Sequence, residues 1–232
     1  MTKLKRLLLK YFLRLSLAFI VLSLLLVVTF RWINPPLTMV MADRWLNASN
    51  DDYKLKKIWL NWDQIPKQAA LAVVASEDQL FPLHRGFDVK SILSSLRTSV
   101  NGGKLRGAST ISQQVARNLY LWTGRSWVRK GLEAWFTLLI ELTWDKQRIL
   151  EVYLNIAEWG NGVFGLEAAS RYHFGKSARH LTPMQSALLA SSLPSPLRYN
   201  PARPTQYLLD RAIWNLHQQK RLDGVRWLSR LE

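Results

Sequence analysis

The sequence contains no cysteine, which excludes disulfide bonds and cysteine-ligated metals. Acidic residues are also scarce: 16 Asp and Glu stand against 32 Lys and Arg, and the formal net charge is +16 at pH 7. Charge of this size attracts polyanions such as anionic lipids, phosphorylated substrates or nucleic acids. No zinc-finger or RNP-type motif is present, and the basic residues are scattered along the chain. The pattern therefore favours a membrane or a phosphorylated substrate as partner and argues against nucleic acid.

Apolar residues make up 48% of the 232 residues, and 11 of them are Trp. That amount is enough for a sizeable core, and the length is typical of one domain together with an anchor. Strand signals are scarce, and there is no internal repeat. The sequence therefore predicts a mainly α-helical domain.

The N-terminal region has the pattern of a membrane anchor. Residues 15–30 carry no charge, and their apolar flanks extend the run to the roughly twenty residues that a bilayer needs. The basic residues that precede it predict a cytoplasmic N-terminus and an exported remainder. A cleaved signal peptide is the alternative, but Arg31, Trp32, Pro35 and Pro36 follow the run where small residues would be expected.

We therefore divide the chain into four parts. These are a basic cytoplasmic N-terminus at 1–14, a transmembrane signal anchor at 15–34, a connecting segment at 35–62 and a periplasmic domain at 63–232.

Capping residues and periodicity predict the helices of the exported part. The predicted helices start at Pro66, after Asp88, after the Thr110/Gln113 capping box, near Trp127, after Asp145, after the Thr182/Gln185 capping box and at Thr205. The second of them has apolar residues at helical spacing and ends at the Asn-Gly-Gly of 101–103. Residues 194–204 are rich in proline and predict a loop.

Two acids at the end of a predicted helix are candidates for proton transfer. Glu77 and Asp78 lie where the helix dipole disfavours negative charge, and apolar neighbours add desolvation. Both effects raise the pKa of a carboxyl group towards that of a useful general base. Solvated acids at a helix end remain the alternative, and His84 alone would usually be structural.

Two further segments suggest anion binding. A glycine turn at Gly107 leads into a helix N-terminus with hydroxyls and amides, an arrangement that can bind phosphate, although a plain capped helix fits as well. Arg129 and Lys130 lie beside Glu133 and suit a pyrophosphate group, directly or through a divalent metal. The alternative is a surface ion pair.

The segment from Gly160 to Gly165 matches G-x-G-x-x-G literally. The dinucleotide-binding motif requires a preceding strand, whereas a helix is predicted here. We interpret these glycines as a tight turn between packed helices.

In this order, the motifs resemble those of the family-51 peptidoglycan glycosyltransferases, especially the monofunctional members. The similarity rests on E-D-x-x-F-x-x-H-x-G-F-D at 77–88, G-x-S-T-I-S-Q-Q at 107–114, R-K-x-x-E at 129–133, I-L-E-x-Y-L-N at 149–155 and the glycine turn through 167–169. The family often has Lys where Arg117 stands, a change that keeps the charge. The chain has no room for the transpeptidase domain of the bifunctional relatives, so the resemblance implies no transpeptidase activity.

The resemblance implies a lysozyme-like domain with a small membrane-associated lobe, preceded by one transmembrane helix. It implies that Glu77 is the general base and Glu133 a second, donor-site carboxylate. The implied substrate-binding residues are Asp78, Phe81, His84, Ser109, Thr110, Gln113, Gln114, Arg117, Asn118, Arg129 and Lys130. Whether the reaction requires a divalent cation, Mg²⁺ or Mn²⁺, stays open, and Glu133 is the candidate ligand for it.

The implied reaction polymerises lipid II into β-1,4-linked glycan at the bacterial inner membrane and releases undecaprenyl pyrophosphate. The implied partners are lipid II, the growing glycan and the inner membrane, with division or elongation proteins left open. Two other functions remain as alternatives: a lytic enzyme on the same scaffold, and a membrane-tethered envelope scaffold without activity.

Overall fold

The computed structural model describes residues 3–48, 53–89, 93, 109–124 and 126–231. The helix predicted after Asp88, its end at 101–103 and the turn at Gly107 lie almost wholly outside these ranges. Of that helix, only Val89 and Leu93 are described, and both are helical and exposed.

The described residues are predominantly helical, which confirms the predicted fold class. The α-helices are α1 (Lys3–Trp32), α2 (Met39–Leu46), α3 (Lys67–Glu77), α4 (Ile111–Tyr120), α5 (Trp127–Thr143), α6 (Lys146–Ile156), α7 (Leu166–Phe174), α8 (Pro183–Ser192) and α9 (Gln206–Arg221). Short 3-10 helices cover Trp62–Gln64, Ala178–His180 and Gly224–Leu231. Both predicted capping boxes are present, at Thr110/Gln113 and Thr182/Gln185, and the Asp145 side chain caps α6.

A small sheet, which the sequence did not predict, lies beside the helices. It consists of β1 (Lys56–Lys57), β2 (Glu158–Gly160) and β3 (Val163–Phe164) in the order β1-β3-β2. β1 pairs with β3 in parallel, whereas β2 and β3 form an antiparallel hairpin with an irregular register. The glycine-rich segment lies between α6 and α7, as predicted, but it forms the β2–β3 hairpin instead of a simple turn. A hairpin is not the strand-to-helix turn of a dinucleotide-binding motif, so the structure agrees with the rejection of that motif.

The helix α3 runs through the centre of the domain. Residues 69–75 of α3 are all buried, and four of these seven are alanines, so neighbouring helices can approach closely. The helices α8 and α9 pack directly against it. Asn215 of α9 donates a hydrogen bond of 2.8 Å to the carbonyl oxygen of Ala72. Because α3 is held on several sides, its last residue, Glu77, has a fixed position.

A buried carboxylate joins α7 to the loop that follows it. Glu167 accepts hydrogen bonds from the Ala178 N–H at 2.7 Å, Arg171 Nε at 2.7 Å and Ser177 Oγ at 3.1 Å. Burial alone would raise the pKa of Glu167, but these three donors outweigh it, so the pKa lies below its ordinary value.

The helix α1 is the one described helix that is long and apolar enough to span a membrane. A stripe of its residues packs against the domain. The Trp135 indole donates to Ser23 Oγ at 3.1 Å, and the Trp144 indole donates to the Val27 carbonyl oxygen at 2.8 Å. The aromatic ring of Phe30 stacks on a side chain of α4 with centroids 6.3 Å apart. The second half of the predicted anchor is therefore part of the packed structure.

Arg148 binds the C-terminal end of α1. Its Nη2 donates to the carbonyl oxygens of Phe30 at 3.0 Å and Ile33 at 3.1 Å, and its Nη1 donates to Asn34 Oδ1 at 2.9 Å and Glu151 Oε1 at 2.9 Å. These carbonyl groups have no partner within the helix, and a cation satisfies them well. Arg148 thereby ties the end of α1 to the start of α6.

Candidate active site

Glu77 is connected through hydrogen bonds to two other helices. Gln114 Nε2 of α4 donates to Glu77 Oε2 at 2.9 Å, and the Tyr153 hydroxyl of α6 donates to Gln114 Oε1 at 3.2 Å. Because Tyr153 donates to the amide oxygen, the amide nitrogen of Gln114 points at Glu77. The carboxylate is thereby oriented at the point where α3, α4 and α6 meet.

Opposing effects set the pKa of Glu77. Burial raises it most strongly, and the charge of Asp78 raises it further. The Gln114 hydrogen bond and the charges of Arg117 and Arg211 lower it, but the net pKa remains above its ordinary value. A carboxylate with a raised pKa that is still stabilised as an anion suits general base catalysis.

Asp78 and His84 hold the polypeptide together close to Glu77. Asp78 is buried and lies 2.9 Å from His84 Nε2, and it accepts the backbone N–H of Ile111 at 3.0 Å. The N–H of Gly86 donates to His84 Nδ1 at 3.1 Å, so the ring proton is on Nε2 and points at Asp78. The described polar atoms of these two residues are thus engaged inside the protein.

Phe81 requires a correction. It was predicted to contact the substrate, but its side chain is 0% exposed and lies in the core beside the ring of His84. Lys146 Nζ lies 4.5 Å from the centroid of the Phe81 ring. Its role is packing, because no face of the ring is open to a ligand.

The N-terminus of α4 already binds a carboxylate of the protein itself. Asp78 accepts the Ile111 N–H, and Thr110 Oγ1 accepts the Gln113 N–H at 3.2 Å while it donates to the Gly86 carbonyl oxygen at 2.7 Å. The predicted phosphate site at this helix end is therefore corrected: a protein carboxylate occupies it. Thr110 and Gln113 are buried and serve as caps, whereas Ser109 is half-buried at the start of the described segment.

Glu133 is buried between two cations. Its side chain is 2% exposed, and its two oxygens pair separately with Arg129 Nη1 at 3.4 Å and with Lys130 Nζ. This ion-pair cluster therefore differs from the exposed surface pair that the sequence left as an alternative. The Arg129 side chain is itself 12% exposed, and its Nε has no hydrogen-bond partner among the described residues.

A cleft of about 500 Å³ lies beside these groups, and four of the predicted site residues line it. Neither Glu77 nor Glu133 lines the cleft, but each contacts a residue that does: Glu77 contacts Gln114, and Glu133 contacts Arg129. The predicted site residues in its wall are Gln114, Arg117, Asn118 and Arg129. Residues that the sequence analysis did not identify complete the wall: Val40, Arg44, Thr123, Tyr153, Ala157, Glu158, Leu193, Ser195, Pro196, Leu197 and Arg198.

Arg44 and Glu158 form an unexpected part of this wall. Arg44 Nε and Nη2 both donate to Glu158 Oε2, at 3.0 and 2.9 Å. Arg44 belongs to α2, in a segment that was predicted to be only a connection, and Glu158 lies in the glycine-rich hairpin. The pair is separated by 114 residues, so no local pattern could have identified it. Arg211, whose charge acts on Glu77, was missed because α9 carries no recognisable motif.

The donor set does not fit a divalent cation at Glu133. Both oxygens of this carboxylate already pair with cations. Within the described ranges, no group of three His, Asp or Glu side chains could hold a metal ion.

Comparisons with known proteins agree with this geometry. Residues 44–220 match the protein-family model described as Transglycosylase. The chain is 53% identical over 218 residues to the biosynthetic peptidoglycan transglycosylase of Pseudomonas aeruginosa, with 92% of this chain and 93% of the relative covered. The proteins of the same name from Pseudomonas putida GB-1 and Stutzerimonas stutzeri are 51% and 49% identical, over 90% and 94% of this chain and 90% and 91% of the relatives.

Proposed function

Since the chain belongs to the transglycosylase family, we propose that Glu77 is the general base with which it polymerises peptidoglycan. The chain is a glycosyltransferase of cell-wall synthesis that uses lipid II. The observation that carries the assignment is the hydrogen-bonded contact of Glu77 with Gln114 at a cleft lined by Arg117 and Arg129. A base beside a group of cations suits the attack of a sugar hydroxyl on a donor with a pyrophosphate leaving group.

The reaction is a single displacement. Glu77 removes the proton from the 4-hydroxyl of the acceptor GlcNAc, and that oxygen attacks the anomeric carbon of MurNAc at the end of the growing chain. The bond between the anomeric carbon and the pyrophosphate oxygen breaks, and undecaprenyl pyrophosphate leaves with the bonding electrons. The α-linked donor thus becomes a β-1,4 linkage, with the stereochemistry of an inverting glycosidase.

The three cations proposed to bind the leaving group, Arg117, Arg129 and Lys130, are positioned in different ways. Arg129 and Lys130 are held by the buried Glu133, which fixes their side chains before the substrate binds. Arg117 lies in the cleft wall on the same helix as Gln114. Together they stabilise the negative charge that develops on the leaving group, so this group needs no proton. Glu133 acts by positioning these cations.

The membrane arrangement follows from the charges around α1. Lys3, Lys5, Arg6, Lys10 and Arg14 precede the uncharged run, which favours a cytoplasmic N-terminus and a periplasmic domain, anchored in the inner membrane by one helix. Lipid II remains in the same bilayer because of its isoprenoid tail. Confinement of enzyme and substrate to one membrane raises their effective concentration.

The test is the polymerisation of labelled lipid II by Glu77→Gln. We expect turnover to fall by about 10²–10⁴, the usual contribution of a positioned base. Asp223→Asn is the matched control, because the Asp223 side chain is 59% exposed and its one ion pair with a described residue is with the exposed Arg226. Turnover by Glu77→Gln close to that of the control would refute the role of Glu77.

A second experiment distinguishes glycan synthesis from the two alternative functions, a lytic enzyme and an envelope scaffold. Purified protein is incubated with lipid II and, separately, with finished peptidoglycan. A ladder of products from lipid II supports synthesis, whereas fragments released from finished peptidoglycan would support a lytic enzyme. An envelope scaffold predicts no product from either substrate. Repeating the lipid II reaction with a chelator tests whether a divalent cation takes part.

A further inference from the structure

Glu158 is a buried acid in the cleft wall that the proposed mechanism does not use. Its side chain is 10% exposed. Burial raises the pKa of Glu158, and the net pKa stays above its ordinary value although the charge and hydrogen bonds of Arg44 and a backbone contact with Gly162 lower it. A carboxylate with a perturbed pKa in the wall of a cleft marks a candidate functional position.

The guanidinium group of Arg44 keeps hydrogen-bond donors for a ligand. It has five N–H donors, and two of them, on Nε and Nη2, go to Glu158 Oε2. The other three, two on Nη1 and one on Nη2, form no hydrogen bond with a described residue. The Arg44 side chain is 37% exposed and lines the cleft. One edge of the group is therefore fixed by Glu158, and the other can bind an oxyanion.

The helix α2 holds the main chain of Arg44 in place. Thr38 Oγ1 accepts the Met41 N–H at 3.1 Å and caps this helix, and the Met41 side chain is buried in the core. Asp43 accepts a hydrogen bond from the Thr123 hydroxyl, which joins α2 to the segment between α4 and α5. Because both the main chain and the head group of Arg44 are held, binding a ligand costs little conformational entropy.

Arg129 is held at the cleft in the same way. It also lines the cleft, and it also pairs with a buried acid, Glu133, whose side chain is 2% exposed. The two acids lie on different elements, Glu133 on α5 and Glu158 on β2. The cleft therefore has two arginines that buried acids hold in position, and the proposed mechanism uses only one of them.

The lipid-linked substrate carries an anion that matches this arrangement. Each coupling brings two diphosphates to the cleft, one on the donor, which leaves, and one on the acceptor, which stays attached. A guanidinium edge can bind two phosphate oxygens at once. We propose that Arg44 is a further substrate-binding residue, which contacts the diphosphate of lipid II, and that Glu158 is its positioning residue. The inference rests on the proposed function, because that function supplies lipid II as the ligand.

The experiment compares two arginines that each pair with a buried acid. Arg44→Gln is the test variant. Arg171→Gln is the control, because Arg171 pairs with Glu167, whose side chain is 4% exposed, but is not part of the described cleft lining. KM and kcat are measured on lipid II in vesicles, and thermal unfolding verifies the fold.

We expect Arg44→Gln to raise KM roughly tenfold, the effect of losing a charge-assisted hydrogen bond at a partly exposed group. The change in kcat should be smaller, because the contact is present before and during the reaction. The control should keep the KM of the unmodified chain. An unchanged KM in Arg44→Gln, or an equal rise in the control, would overturn the proposal.

A double variant distinguishes substrate binding from a purely structural role. Arg44→Gln leaves the Glu158 carboxylate without its cation, so we expect a lower thermal midpoint. Adding Glu158→Gln removes this carboxylate charge, and the midpoint should recover while KM stays raised. If KM recovered together with the midpoint, the pair would only join α2 to the β2–β3 hairpin, and the proposal would fail.

Inhibition by undecaprenyl pyrophosphate tests which anion Arg44 binds. This product carries the diphosphate but no stem peptide. With lipid II held at the same multiple of each KM, the concentration for half-inhibition should be roughly tenfold higher for Arg44→Gln than for the unmodified chain. Equal inhibition of the two chains would indicate a peptide carboxylate as the ligand and refute the assignment. Because Glu77→Gln is judged by turnover and Arg44→Gln by KM and inhibition, the failure of either proposal is distinguishable from that of the other.

Discussion

Replacing Arg148 by Met removes the clamp that joins the anchor to the catalytic domain. The guanidinium group is 10% exposed and binds two carbonyl oxygens at the end of α1, the Asn34 amide oxygen and Glu151. A hydrogen bond to a charged group contributes about 1.5–3 kcal/mol, and the change also leaves the Glu151 carboxylate, which is 12% exposed, without its partner. Breaking such a pair costs about 3–5 kcal/mol, which we take as the expected loss of unfolding free energy.

The loss is measured by thermal unfolding in detergent, followed through Trp fluorescence. For a chain of this size we expect the midpoint to fall on the order of 10 °C. Arg226→Met is the matched control, because Arg226 also pairs with an acid three residues away, Asp223, but is 82% exposed. An exposed pair contributes about 0–1 kcal/mol, so this control should unfold near the temperature of the unmodified chain.

A double variant separates the loss of the Arg148 hydrogen bonds to α1 from the cost of leaving the Glu151 carboxylate unpaired. Adding Glu151→Gln to Arg148→Met removes the unpaired carboxylate, and we expect it to recover about 1–2 kcal/mol, within the range found for residues in contact. The remaining deficit measures the lost bonds to α1. If Arg148→Met destabilised the protein no more than Arg226→Met, the docking of the anchor would not depend on this residue and our reasoning would fail.

Three further predictions concern the site and the turns that support it. Gln114→Met should move the acidic limb of the pH–turnover profile to higher pH, because the Gln114 hydrogen bond lowers the pKa of Glu77; an unmoved limb would contradict the contact. Glu167→Gln should cost about 2 kcal/mol in urea unfolding at pH 7. Since the folded pKa of Glu167 is lowered, this stabilisation is present above the pKa of the unfolded chain and disappears as the pH falls through the folded value, so a deficit independent of pH would contradict it. Gly165→Ala should destabilise by about 3 kcal/mol, whereas Gly175→Ala should cost about 1 kcal/mol. Both glycines have positive φ, but only at Gly165 would an added Cβ lie 2.9 Å from a carbonyl oxygen, and equal losses would contradict this reasoning.

Features that depend on neighbouring residues could be predicted from the sequence. The caps at Thr110, Asp145 and Thr182 and the start of α5 near Trp127 are confirmed, because a helix start depends on a few consecutive side chains. The small sheet could not be predicted in this way. Its strands are two or three residues long, and β1 pairs with β3 across more than a hundred residues.

Only part of the site could be predicted, again because local sequence patterns do not describe tertiary contacts. Motifs identified Glu77, Gln114 and Glu133, and the structure places all three at or next to one cleft. Motifs could not say which polar atoms are already engaged, so Phe81 and the N-terminus of α4 were assigned to the substrate although the protein itself occupies them. Burial and occupancy are tertiary properties, and local patterns do not contain them.

The docking of α1 has a practical consequence for preparing the enzyme. If the chain were cut after Asn34 to obtain a water-soluble domain, the indole N–H groups of Trp135 and Trp144 would lose their acceptors and Arg148 would lose most of its bonds. An aromatic strip would then face water, where it promotes aggregation. Detergent would have to replace a surface that the polypeptide normally provides, so a shortened enzyme and the intact one should not be treated as equivalent catalysts.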